Sequence, residues 1–239
     1  MRRLFPNRNT VLFEQPGSGD STRLASVDYT LDRQIAYLDA FLSKQAYSEV
    51  VLVGSSWGAT LASHYSWKHP ERVVGLILLA PGPLLREQEH RTQGIGVPRL
   101  TYIAAWLGLW SQPLSDRLLP RAQRARWDRD GFSDEANFLI MKDFLEQPRE
   151  FGRVDIPTLV VRGIHDDFDL SGYRAHFTDV QFSEVKDDHT LETDTCSVAL
   201  PIAQFTARLS GESRPTQCQE VLREIPGSSD QYTRDIVVR

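Results

Sequence analysis

The chain is poor in cysteine. Of its 239 residues only Cys196 and Cys218 are cysteine. Two cysteines make no disulfide framework and sit in no zinc-binding spacing. The expectation is no metal and two free thiols in a reducing compartment, the cytoplasm. Long apolar runs are also missing. No stretch approaches the roughly 20 residues needed to span a bilayer. The basic start "MRRLFPNRNT" has no apolar segment behind it, so it does not read as a secretory signal. Positive charge is not in excess either. A formal charge of -5 gives no footprint for nucleic acid. There are no internal repeats and no low-complexity block. What is present is the composition of an ordinary globular protein, 41% hydrophobic and 25% charged, long enough for one large domain.

Short apolar runs alternate with helical patterns. "TVLFEQ" (Thr10 to Gln15), "VVLV" (Val50 to Val53), "VVGLILLA" (Val73 to Ala80), "TLVVRG" (Thr158 to Gly163) and "VQFSEV" (Val180 to Val185) read as strands. Ile35, Leu38, Phe41 and Leu42 give the segment from Thr30 to Gln45 a helical apolar face. Ala59 to Lys68 and Val198 to Leu209 read as further helices, the first ending near His69-Pro70 because proline disfavours helix at the residue before it. Continuously apolar strands alternating with helices predict an α/β architecture, a mostly parallel sheet covered on both faces. Strand signals stop between Leu84 and Asp155, where "LTYIAAWLGLW" and "EANFLIMKDFL" predict a helical cap over one end of the sheet. The expected division is residues 1–84 as the first part of the core, 85–155 as the cap and 156–210 as the second part of the core. A polar tail of 211–239 follows, with the composition of a disordered segment.

"GSSWG" fits G-x-S-x-G in one way, with Ser56 at the centre between Gly54 and Gly58. A strand leads in and a helix leads out, the setting of a nucleophile elbow, where a sharp turn exposes the serine. A serine hydroxyl needs a base to take its proton and a third group to orient that base. On such a scaffold they follow in the order acid, then histidine. "VVRGIHDDFD" offers Asp166, Asp167 and Asp169 after a late strand, with Asp166 the first choice and Asp167 the second. "FSEVKDDHTLETD" places His189 after the last strand. His165 is the rival base, but it adjoins its own acid. His64 reads as packing or surface, His69 as a helix-end residue, and His90 and His176 as exposed.

The stretch "GSSWGATLASHYSWKHPERVVGLILLAPG" resembles the elbow region of α/β-hydrolases, and among them the proline iminopeptidase-like serine hydrolases. "LFEQPGSGDST", "RGIHDDFD" and "KDDHTLE" are similar to further parts of that pattern, from Leu12 to about Leu209. The resemblance implies an α/β-hydrolase sheet with a helical cap, a Ser56–His189–Asp166 triad, a Trp57 backbone amide in the oxyanion hole and no cofactor. The implied substrate is a small molecule or short peptide cleaved at an ester or amide, with no membrane or nucleic-acid partner; the oligomeric state is left open. Aromatic cap residues, Tyr102, Trp106, Trp110 and Trp127, suggest an apolar substrate pocket, with ordinary cap core as the other reading. Two departures stand out. The family's cap carries a tryptophan-tryptophan-glutamate pattern, where this chain has Trp127 followed by Asp128. The H-G-G-P-G-like loop that supplies a second oxyanion amide, and the strand before it, are not found. The expectation is therefore an N-terminally truncated hydrolase, in which the "VLFEQ" strand and the elbow strand either pair directly or leave a slot open. An impaired or non-catalytic binding protein is the alternative function.

Overall fold

The computed structural model of the chain describes residues 10–17, 21–22, 24, 28–85, 139–140, 142–144, 147, 149–166, 168–189, 191, 195–217, 221 and 236–238. Most of the expected cap, including Tyr102, Trp106, Trp110, Trp127 and Asp128, lies outside the described residues.

Strand β1 (Thr10–Leu12) precedes helix α1 (Leu31–Lys44), strand β2 (Val50–Ser55), helix α2 (Trp57–Lys68) and strand β3 (Val73–Leu79). Further along the chain come β4 (Thr158–Gly163), α3 (Ser171–His176), β5 (Val180–Val185), α4 (Thr195–Ser210) and β6 (Ile236–Val238). They form a six-stranded sheet in the order β1-β6-β2-β3-β4-β5. The pairs β2–β3, β3–β4 and β4–β5 are parallel.

The strands read as continuously apolar because both faces are covered. Val50, Leu52, Leu76, Leu78 and Val160 pack with Leu31, Ile35, Leu38 and Leu42 of α1, Leu61 and Tyr65 of α2, and Tyr173 of α3. Their neighbours Val51, Val53, Ile77, Leu79, Leu159 and Val161 point the other way, onto Ile202 and Phe205 of α4. That is the period-2 alternation of a strand applied to a two-sided core. Helix α1 starts where Thr30, in extended conformation, accepts the Arg33 N–H on its hydroxyl. This is an ordinary N-cap satisfying one otherwise unpaired amide.

Three expectations change. The slot beside β2 is neither open nor closed by direct β1–β2 pairing. Strand β6 fills it, antiparallel to both, with Val237 opposite Val11 on one side and Leu52 on the other. The polar composition of the tail hides "DIVVR", a short β-branched run with two open strand edges to join. Residues just after α4 are also docked, since Gln204 donates to the Pro215 carbonyl at 2.9 Å. Second, Cys196 is disulfide-bonded and is not a free thiol. Disulfides persist in oxidising compartments, so cysteine usage no longer argues for a cytoplasmic location. Third, α2 begins at Trp57, earlier than Ala59. No helix among the described residues is long and apolar enough to cross a membrane.

Candidate active site

Strand β2 runs straight into α2 with one residue between them. That residue is Ser56, at φ 52° and ψ −117°. A non-glycine side chain rarely sits there, and the strain is of the order of 1–3 kcal/mol. Neighbouring backbone bonds hold it in place. The Ser56 N–H donates to the Leu79 carbonyl at 2.9 Å, and the Ser56 carbonyl accepts from Ala59 at 3.1 Å and Gly82 at 3.2 Å. The turn is tight enough that a Cβ on Gly54 would overlap the backbone of Gly58 and Ala59. Strand and helix therefore touch backbone to backbone, and only glycine fits at Gly54.

The C-terminal ends of β4 and β5 supply the other two groups. Asp166 lies in the turn after β4, its side chain 4% exposed, and His189 in the loop after β5, its side chain 34% exposed. His189 Nε2 lies 2.8 Å from Ser56 Oγ, and His189 Nδ1 lies 2.9 Å from Asp166 Oδ2. The carboxylate can only accept, so Nδ1 carries the proton and donates it. That leaves the Nε2 lone pair for the Ser56 hydroxyl, which donates. The structure thus brings Ser56, His189 and Asp166 into one hydrogen-bonded chain at the carboxyl ends of three parallel strands, where open α/β sheets hold their ligands.

Asp167 is outside the described residues. Asp169 instead accepts from the Ser171 N–H at 2.8 Å, at the start of α3. His165 is exposed, and its backbone N–H donates to the Asp187 carbonyl. Trp57 opens α2, so its amide has no partner within the helix. Its ring meets Phe144 edge-on at 5.5 Å. Its indole Nε1 is buried with no hydrogen-bond partner among the described residues.

The sequence does not single out Phe168 or Tyr173, and it gives His64 and His176 no part in the site. Phe168 packs its ring 4.8 Å from the His189 ring, and its N–H donates to the second Asp166 oxygen at 3.3 Å. An aromatic between acids in "HDDFD" is the one sequence signal that could have marked it. Tyr173, buried in α3, donates its hydroxyl to the Gly82 carbonyl at 2.9 Å, and burial raises its pKa. Gly82 in turn holds the Ser56 carbonyl. His64 faces the core; burial lowers its pKa to about 4. Its Nε2–H donates to the Leu84 carbonyl at 3.0 Å, shortly after β3. His176 is half-buried rather than exposed, with Nδ1 3.2 Å from the Gly152 carbonyl.

Comparison with known proteins agrees with this architecture. A family model described as "alpha/beta hydrolase fold" matches residues 3–100. The chain is 40% identical over 100 residues to a proline iminopeptidase of Arabidopsis thaliana, covering 40% of this chain and 25% of that protein. It is 24% identical over 204 residues to a probable proline iminopeptidase of Leptolyngbya boryana, covering 65% and 63%. A haloalkane dehalogenase of Mesorhizobium japonicum is 38% identical over 63 residues, 26% of this chain and 20% of that protein. The chain thus spans less than two thirds of the length of each. Among solved structures, a Bacillus megaterium epoxide hydrolase superposes with a TM-score of 0.61 at 13% identity, over 83% of this chain and 82% of the other. A marine microorganism esterase superposes at 0.56 and 18% identity, over 82% of each.

Proposed function

We propose that this chain, which has the α/β-hydrolase fold and is proline iminopeptidase-like in sequence, is a serine hydrolase acting on a small ester, amide or short peptide. The observation that carries the reading is the unbroken Ser56–His189–Asp166 hydrogen-bonded chain, with bonds of 2.8 and 2.9 Å and the serine held at positive φ.

In this reading Ser56 Oγ attacks the substrate carbonyl as its proton passes to His189 Nε2. The carbonyl π pair moves onto oxygen, and the Trp57 amide donates to that oxyanion. The oxyanion collapses, the bond to the leaving group breaks, and His189 gives its proton to the departing alcohol or amine. Water then attacks the acyl-enzyme, loses a proton to His189, and releases the acid and free Ser56. Asp166 keeps the imidazole in the required tautomer and stabilises its charged form. Tyr102, Trp106, Trp110 and Trp127 are assigned to an apolar substrate pocket. A dehalogenase-type reaction is disfavoured, because those enzymes place an aspartate where Ser56 stands.

A second reading, a binding protein on the same scaffold, is favoured by one feature. Among the described residues only the Trp57 amide is assigned to the oxyanion, and a hydrolase lacking one donor loses ~10²–10³-fold in rate. A fluorophosphonate probe separates the two readings. The hydrolase becomes covalently labelled, and Ser56→Ala abolishes labelling while leaving the circular dichroism spectrum unchanged. A folded wild-type protein that never labels refutes the hydrolase reading.

A further inference from the structure

The acid and the base reach each other because two loops cross at one glycine. Gly163 ends β4, and its carbonyl accepts the Asp166 N–H at 3.1 Å, so the turn that carries the carboxylate hangs from it. The same turn is stitched to the histidine loop. Ile164 N–H donates to the Val185 carbonyl at 2.9 Å, and His165 N–H to the Asp187 carbonyl at 3.1 Å. The face of Gly163 that lacks a side chain is pressed against the Asp187 and Asp188 carbonyls, and a Cβ there would overlap both oxygens. Asp188 directly precedes His189. The requirement for glycine here is one of space: Gly163 is not among the positive-φ glycines of the described residues, Gly17 and Gly211, so its φ does not call for glycine. The obstacle is backbone, which cannot rotate out of the way as a side-chain tip can.

We infer that Gly163 is a positioning residue that sets the distance between Asp166 and His189. Any side chain at 163 pushes the 187–188 peptide outward and carries the imidazole away from Asp166, from Ser56, or from both. A displacement of about 1 Å at a reacting group costs on the order of 10²-fold in rate. Asp187 acts at the same crossing from the other side. It is buried, and its Oδ1 accepts the Asp188 N–H at 2.8 Å, fixing the peptide that Gly163 abuts.

The inference rests on the serine hydrolase reading for its kinetic consequence, but its geometric claim can be read separately. Gly75, in β3, is the matched control. A Cβ there would overlap the tip of Leu209, far along the chain from the triad, so Gly75→Ala disturbs packing without touching the loop crossing. Gly163→Ala is expected to lower kcat on p-nitrophenyl acetate, and the fluorophosphonate labelling rate, by about 10²-fold with KM within about threefold. Gly75→Ala is expected to lower Tm but stay within about twofold of wild-type kcat. Asp187→Ala is expected to lose about tenfold in kcat, and Asp187→Asn, which keeps the accepting oxygen, to recover most of it. The readout independent of turnover is the His189 Nδ1–H proton resonance, shifted downfield by the Asp166 carboxylate in wild type and lost in Gly163→Ala. If Gly163→Ala folds and keeps wild-type kcat and that resonance, the inference is wrong while the hydrolase reading stands. If Gly163→Ala does not fold and Asp187→Ala is as active as wild type, the inference is equally wrong. A wild-type protein that shows the resonance but never labels sinks the hydrolase reading and leaves the positioning claim to be decided by the resonance alone.

Discussion

Asp166 uses both of its carboxylate oxygens, one for the His189 Nδ1–H and one for the Phe168 N–H. A buried carboxylate with two donors has one orientation available to it, which fixes the imidazole as well. His64 shows the opposite strategy, a titratable ring kept neutral by burial, with its pKa lowered from 6.5 to about 4. The sign of its effect on stability follows from linkage. Between pH 6.5 and 4 the unfolded chain protonates His64 and the folded chain does not, so stability falls as pH falls through that window. About 3 kcal/mol is the scale for a shift of this size. Asp32, held low by its hydrogen bond from Lys68, acts in the same direction at lower pH. His64→Gln, whose amide can still donate to the Leu84 carbonyl, is expected to flatten the pH 4–6.5 part of a urea-denaturation profile; an unchanged slope would assign the acid sensitivity elsewhere. Ser56, Asp166 and His189 could be picked from sequence because each follows a strand and the strands were readable. The contacts of the Phe168 ring with His189, of Tyr173 with Gly82 and of His64 with Leu84 could not be read, since each depends on separate segments meeting.

At the scale of the element, sequence and structure agree best where periodicity is strong. The strands Thr158–Gly163 and Val180–Val185 fall where their apolar runs predict them. Helix α1 buries Ile35, Leu38 and Leu42 as its spacing requires. Agreement weakens where backbone geometry overrides pattern. Helix α2 begins two residues before Ala59 because the elbow delivers the chain directly into a helical turn at Trp57. Helix α3 is six residues long, too short to give a periodic signal. Helix α1 also contains a local conflict. Gln34 is fully buried, and both its amide oxygen and its amide nitrogen lack partners among the described residues. Unpaired buried polar groups cost about 1–3 kcal/mol, while an apolar group of similar shape carries no such penalty. Gln34→Met is therefore expected to raise stability by about 1–2 kcal/mol in chemical denaturation. A destabilised variant would mean that the amide has a partner in solution, such as a buried water.

At the scale of the whole molecule, the C-terminal tail decides whether the sheet is continuous. Strand β1 joins the sheet through β6, which occupies the interior position next to β2, the strand that leads into Ser56. Just after α4 the tail is tied to that helix by Gln204, which donates to the Pro215 carbonyl, and Cys196, near the start of the helix, is in a disulfide. This was the least legible part of the chain. A strand of three residues inside a polar segment has no periodic signature, and its place is set by the vacant edges of β1 and β2 rather than by its own composition. The dependence can be tested without removing the tail. Val237 is the middle residue of β6 and is flanked by both neighbours, so Val237→Pro deletes a ladder donor and cannot sit in a central strand. It is expected to lower stability by about 1–3 kcal/mol. Fluorophosphonate labelling of Ser56 should slow, because Val51, Leu52 and Val53 of β2, which lead into the elbow, lose the partner that pins them. Val237→Thr, which keeps both the backbone donor and the β-branched shape, should behave as wild type. Equal stability and labelling in the Pro variant would show that β2 holds the elbow without β6, and that the tail strand is a passenger on the sheet.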